Sequence, residues 1–525
     1  MRGPESERSR PGTIGATPAR AAAGVGHTVP AMPLVTFPRH LADLAVAAPD
    51  APAVTDEDRT VDRWTIVSES AALAGELRTL GVASGDFVTV ALPNSIEFVE
   101  AFIACWMVGA VPQPVSVRLP DAELDAIVEL ADPSAVVGLE DAAVGCRPHV
   151  PLGFRADAAD AGHLPDLVSR AWKAPTSGGS TGRPKLIVHG DPSTLDPDAD
   201  PVLLIQRDGC LVMPGPLYHN GPLSWALLSL LAGNHVVVTE RFDAERTLSL
   251  IEEHRANMVY VVPTMMKRIS RLPDDVRDRY DLSTLRVVWH LAEPCPDWLK
   301  QAWIDWLGPK RIWELYAGTE NQASTVIRGD QWLEHRGSVG RVAAGEMAVF
   351  DADGRPVPPG EVGEIFMRRS PGSGPSYRYV GAEARTVGDG WESLGDMGSM
   401  DADGYLYLAD RRTDMILSGG ANIYPAEIEA ALGEHPAVLS VAVIGLPDDD
   451  LGNRVHAVVQ AEPGTVTDDE LRNHLATRLV RYKVPRSFEF VAEPLRDEAG
   501  KVRRTQLRAD RLAATPDPDP PGEPA

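Results

Sequence analysis

From about Phe37 onward, the spacing of apolar positions switches repeatedly between a helical and an extended period. Apolar residues three and four apart predict helices at Leu41–Ala47 and Ser95–Val108. Short β-branched runs predict buried strands at Phe87–Leu92, Ala135–Gly138, Val236–Thr239, Met258–Val262 and Leu285–Trp289. Strands alternating with helices imply an α/β fold of layered sheets with much parallel pairing. After about Gly345 short strands dominate, punctuated by two DADG turns at Asp351–Gly354 and Asp401–Gly404, which predicts a β-rich subdomain. From Ala426 a compact α+β unit follows: helix Ala426–Glu434, strand Val438–Ile444, strand Val455–Gln460, helix Thr467–Leu479 and a basic end. The seam between a large N-terminal domain (33–410) and this small C-terminal one (411–510) is expected at Asp410–Arg411. The Gly-, Pro-, Ala- and Arg-rich stretch 1–32 and the Pro/Asp-rich stretch 511–525 are expected to be a disordered leader and tail, with Met32 opening the protein-like sequence.

Composition narrows the class. A chain of 525 residues exceeds one ordinary core, and 44% hydrophobic with 24% charged residues is the balance of a globular protein. Fifty Lys+Arg against 75 Asp+Glu leave a net charge of -25, which argues against a nucleic-acid partner. The four cysteines (Cys105, Cys146, Cys210, Cys295) form no CxxC pair, so neither a disulfide framework nor a zinc site is expected. The most apolar run, Ala101–Val111, falls short of the roughly 20 residues that span a bilayer and reads as a buried helix. No signal-peptide core is visible at the N-terminus, so a cytoplasmic protein without a membrane span is expected.

The chemistry concentrates in Thr176–Lys185 (TSGGSTGRPK), where three glycines and four hydroxyl residues end in a lysine. Glycines let backbone N–H groups approach an anion, hydroxyls add donors and the lysine adds charge, so such a loop can wrap a polyphosphate. It is not a Walker A loop, because Arg183 stands where the second glycine would fall. On composition alone a flexible linker fits equally; the apolar strand predicted at Leu186–Val188 favours the phosphate reading. Four further segments follow in order: Tyr316–Glu320 (YAGTE), Gly390–Asp396 (GWESLGD) with Asp410 and Arg411, Ser418–Glu427 (SGGANIYPAE), and Gly500–Lys501 within PLRDEAGK.

Together these resemble the motifs of the adenylate-forming superfamily of acyl-CoA synthetases, luciferases and nonribosomal adenylation domains, over about Val35 to Arg508. The resemblance implies an AMP-binding N-terminal domain, a mobile C-terminal lid, and a reaction in two halves. A carboxylate attacks the α-phosphate of ATP to give acyl-AMP and pyrophosphate, then a thiol displaces AMP. It implies that Thr176, Ser177, Gly178, Gly179, Ser180, Thr181, Gly182 and Lys185 grip the phosphates. Tyr316 would face adenine, Thr319 would lie near the α-phosphate, and Glu320 would hold Mg²⁺. Asp396 would take the ribose hydroxyls and Arg411 ribose or phosphate; Thr413 occupies the hinge position in place of the common Asp or Lys. Gly419 and Gly420 would line the thiol tunnel, and Lys501 would bridge carboxylate and α-phosphate. His219, in PLYHNGP, is expected near the acyl group and thioester channel, although a lone histidine is more often structural. Ala292, Glu293 and Pro294, in HLAEP, lie where relatives place a small segment against adenine; Glu293 departs from that pattern and would either meet a cation or shape the acid pocket.

Phrases such as PTSGGSTGRPKLI and WHLAEPCPDWLK are similar to the branch that includes bile acid–CoA ligases. The resulting expectation is an ATP-dependent acyl-CoA ligase for a bulky hydrophobic acid, with ATP, Mg²⁺ and CoA. The apolar Ala226–Gly233 would line its pocket or simply form a core helix. Loading of a carrier protein instead of CoA, a non-catalytic nucleotide-binding relative and a luciferase-like monooxygenase are the alternatives, and a homodimer is compatible with each.

Overall fold

The computed structural model describes residues 34–139, 147–154, 165–178, 184–448, 450–497 and 500–514. The expected leader, Cys146, most of the tail, and the phosphate-loop residues Gly179, Ser180, Thr181 and Gly182 lie outside them.

Three of the predicted buried strands, at Val236–Thr239, Met258–Val262 and Leu285–Trp289, join one sheet of fourteen. Its parallel half runs Pro52–Thr55, His235–Val238, Cys210–Met213, Met258–Val261, Val287–His290 and Ile312–Ala317. These are near-continuous apolar runs, as strands covered on both faces must be. At Ile312–Ala317 the pairing turns antiparallel: Ser324–Arg328, Ser338–Ala344 and Tyr405–Arg411 follow, then Trp391–Met400, Gly363–Arg368 and Glu346–Phe350. That half is the β-rich subdomain. Parallel strands end in loops at their carboxyl edge, where α/β sheets bind ligands. The YAGTE segment therefore falls at the carboxyl end of the last parallel strand.

A second, parallel sheet orders Val111–Pro114, Phe87–Val90, Ala135–Val137 and His149–Val150. The run Ala101–Val111, read as a buried helix, is helical only to Met107: helix Ile96–Met107 is capped by the Ser95 side chain and buried from Phe98 to Met107, and Val111 opens a strand. A third sheet positions the phosphate loop. Thr176–Gly178 pairs antiparallel with Pro184–His189, which pairs in turn with the distant Tyr377–Val380.

The C-terminal unit has its own core, centred on Ile428, Leu432, Val443, Ala457, Val459, Leu471 and Leu475. Strands Ser440–Asp448, Gly452–Gln460 and Ser487–Val491 form its sheet, against helices Pro425–Gly433, Asp468–Ala476 and Arg504–Ala514. Helix Asp468–Ala476 begins where a capping box predicts, with Thr467 and Glu470 bonding each other's backbone. Two strands start two residues later than expected, Val287 for Leu285 and Ser440 for Val438, because ladder pairing rather than apolarity sets their ends. Helix Arg504–Ala514 also carries helical chain past residue 510 into the expected tail, anchored by Arg511 on Glu489.

Candidate active site

The hairpin that bears the phosphate loop delivers Lys185 to the carboxylate of YAGTE. Lys185 Nζ lies 3.3 Å from Glu320 Oε1 and 3.9 Å from the centre of the Tyr379 ring. Tyr379 donates its hydroxyl to the same Glu320 oxygen at 2.6 Å. Burial and then Glu320 push the Tyr379 phenol far above its usual range, so it stays a donor. Thr176 accepts a hydrogen bond from Gln113 Nε2 at 2.8 Å, which fixes the near end of the loop.

On the strand that leads into Glu320, Tyr316 donates to Asp396 Oδ2 at 2.7 Å, and Asp396 Oδ1 faces Arg411 Nε at 3.4 Å. Asp396 and Arg411 are direct cross-strand partners, so the sheet register holds them together. Thr319 and Glu320 form the turn after Tyr316. Gly318 leaves room for both neighbours: a Cβ would come within 2.2 Å of Leu394 Cδ1 and 2.9 Å of Glu320 Oε2, so one of them would have to move.

The lid supplies Lys501 to this cluster. The surrounding protein and the Arg411 cation lower its ammonium pKa, while Asp497 and Glu320 raise it. His219 precedes helix Asn220–Leu231, with its Nε2 buried and unpaired. Burial, then the Lys501 charge, hold its imidazole well below the usual histidine range, so it is neutral beside the lysine. Ala292 takes a left-handed backbone (φ +76°), costly for a residue with a Cβ, and Glu293 follows it. Glu293 turns instead to Thr264 and the lid cation Arg496. Gly419 and Gly420 also stand apart, as the turn of the hairpin Ile416–Ser418/Ala421–Ile423, with Gly419 bonded to Leu451 of the lid.

Tyr379, Gln113 and Arg496 escaped the sequence reading. Arg496 lies in the quoted PLRDEAGK segment and so carried a signal; Tyr379 and Gln113 sit in strands with no motif of their own.

Comparison with known proteins is decisive about family. The AMP-binding enzyme model matches residues 41–377, and the AMP-binding enzyme C-terminal domain matches 427–501. The chain belongs to the AMP-binding enzyme family. It is 35% identical to a feruloyl-CoA synthase of Amycolatopsis over 88% of this chain and 96% of that one. A long-chain fatty acid–CoA ligase of Mycobacterium tuberculosis is 31% identical over 84% and 92%. Among solved structures, the o-succinylbenzoate CoA synthetase of Bacillus subtilis with its acyl-adenylate superposes with a TM-score of 0.75 at 25% identity, covering 91% and 99%. Like other AMP-binding enzymes of this kind, the protein is an ATP-dependent acid–thiol ligase that makes acyl-CoA through an acyl-AMP.

The family reaction also implies Mg²⁺, and the residues present fit it. Among the described residues no group of three or more His, Cys, Asp or Glu could hold a metal. A magnesium ion asks for less, one or two carboxylates together with substrate phosphates, and the buried Glu320 offers a hard oxygen beside the phosphate loop.

Proposed function

We propose that this ligase activates a bulky hydrophobic acid in the cytoplasm and passes it to CoA, with the large domain (33–410) binding the nucleotide and the lid (411–510) turning about Asp410–Thr413 between the half-reactions. The observation that carries the reading is the gathering of Lys501 and Arg411 from the lid with Glu320 and His219 of the large domain. In this reading Lys501 offsets the charge that builds as carboxylate and α-phosphate meet. Lys185, Thr176, Ser177 and Gly178, with Gly179, Ser180, Thr181 and Gly182, hold the phosphates. Asp396, fixed by Tyr316, takes the ribose, and the backbone of Ala292 to Pro294 flanks adenine, the Glu293 side chain being turned to Thr264 and Arg496. Glu320 and Thr319 hold Mg²⁺ and the α-phosphate, the metal's contribution being neutralisation of phosphate charge. Neutral His219 orients the acyl group without adding a second cation beside Lys501. Gly419 and Gly420 leave room for the thiol once the lid has turned.

The acid is proposed to meet the start of helix Asn220–Leu231. Trp225, Tyr260 and Trp289 pack edge to face there, at 5.3 and 5.7 Å between ring centres. Buried polar atoms in the same place lack partners: Asn220 Oδ1, Trp225 Nε1 and the Tyr260 hydroxyl. Unpaired buried donors and acceptors are costly unless a ligand meets them, which favours an acid bearing a hydrogen-bonding substituent on its apolar body. A hydroxamate screen pairing cinnamate with ferulate, and unsubstituted with hydroxylated long-chain and polycyclic acids, tests this. Preference for the substituted member of a pair is expected; activity confined to acetate or propionate overturns the reading. Running it with and without CoA separates CoA from a carrier protein as acceptor.

A further inference from the structure

Lys501 sits within a bend of the lid closed by the Arg496–Val502 bridge. Asp497 carboxylate accepts from Lys501 N at 2.9 Å, and Arg496 Nη1 donates to Gly500 O at 2.9 Å. These bonds shape the bend but lie wholly inside the lid. One buried side chain of the large domain reaches it, Glu293, whose Oε2 lies 3.4 Å from Arg496 Nη1. Glu293 is itself fixed, accepting from Thr264 N at 2.7 Å and Thr264 Oγ1 at 3.1 Å. The contact is steric as well as ionic. Gly500 has φ +78°, and a Cβ there would stand 2.3 Å from Glu293 Oε1, so the backbone next to Lys501 rests against the carboxylate.

Arg496 is shared between two carboxylates, because its Nη2 also pairs with Glu429 of the lid at 3.2 Å. If the lid turns as a body, the Glu429 pair and the Gly500 bond travel with it and the Glu293 pair alone is broken. Of the other cross-domain bonds, Lys267 and Arg271 donate to lid carbonyls at Gly433, Pro436 and Val438, and Arg503, two residues past Lys501, meets Glu123 at 2.8 Å in an exposed pair of the kind that contributes little. We propose that Glu293 is a positioning residue, which registers the Arg496/Gly500 bend against the large domain and so places Lys501 for acyl-adenylate formation without touching the reactants. This rests on the role of Lys501 in the proposed function. It gives the acidic residue in HLAEP its cation.

The test uses the full chain with Glu293→Gln, Glu293→Ala and Glu293→Asp. Acyl-AMP formation is followed by ferulate-dependent ATP–pyrophosphate exchange, or with the acid giving the strongest hydroxamate if ferulate is inactive. Thioester formation is followed from the corresponding supplied acyl-AMP and CoA. The ratio of the first rate to the second should fall about tenfold or more in the Gln and Ala variants, with partial recovery in Asp. Hydrogen exchange at the Gly500 and Lys501 amides, which needs no acid, should quicken in Gln and Ala and stay slow in Asp. Equal loss of both half-reactions, or unchanged exchange at those amides, overturns the brace. Wild-type enzyme that forms no acyl-AMP from any acid, while exchange still responds to Glu293→Gln, would instead sink the proposed function and leave the brace standing.

Discussion

Lys185 and Glu320, 135 residues apart, meet at 3.3 Å, and Tyr379 contacts both. The phosphate-loop lysine and the proposed metal carboxylate are thus held as one unit by a phenol from a third strand. Tyr379→Phe keeps the ring beneath Lys185 and removes one charge-assisted hydrogen bond from Glu320. Such bonds contribute about 1.5–3 kcal/mol, so KM for ATP should rise about tenfold or more with little change in melting temperature. Unaltered ATP saturation in steady-state assays would show that the phenol does not set the carboxylate.

Lys501→Ala should lower acyl-AMP formation by about 10²-fold or more, as expected for removing charge stabilisation from a crowded anionic transition state. Thioester formation from supplied acyl-AMP should fall far less. Single-turnover assays of each half-reaction read the two separately; equal losses would mean that the lysine is structural.

What was legible in the sequence followed the distance over which its signal extends. Lys185, Glu320, Asp396 and Lys501 each sit in a short run whose residue types the chemistry demands, and the structure links all four by bonds or electrostatic coupling, with Tyr316, Tyr379 and Arg411 as intermediaries. The apolar runs likewise announced three strands of the parallel half of the large sheet, at Val236–Thr239, Met258–Val262 and Leu285–Trp289, since burial on both faces is written into each strand alone. Tyr379 was invisible because its position depends on which strand pairs with Pro184–His189, a choice made by tertiary packing. Glu293 was visible only as an unexplained charge, because its partner Arg496 arrives from the other domain.

Gly318→Ala tests how closely the YAGTE turn is packed. The added methyl group would overlap Leu394 and crowd Glu320 Oε2, so either the leucine or the carboxylate must shift. A displacement of the carboxylate should cost about tenfold or more in kcat/KM for ATP. Leu394→Ala in the same chain opens the space and should restore part of the loss. If the double variant is no better than Gly318→Ala alone, the clash lies elsewhere.

His189 makes stability depend on acid, because it ends the strand that carries Lys185 and is buried. Burial first, then the Lys173 and Arg369 cations, lower its pKa from 6.5 to about 3. The folded protein therefore keeps it neutral while the unfolded chain binds a proton below 6.5. Its contribution is fully present above pH 6.5 and is lost as pH falls toward 3. At about 1.4 kcal/mol per pH unit, the loss between pH 6.5 and 5 is about 2 kcal/mol. His189 Nδ1 accepts from Asp191 N at 3.1 Å, a bond that an asparagine carbonyl can replace. His189→Asn should therefore lower the melting temperature little at pH 7 and flatten its decline between pH 6.5 and 5. The slope should shrink and not vanish, because His235, lowered to about 4 by burial and His254, titrates over the same range. Parallel melting curves for the two proteins across those pH values would exclude His189 as the source.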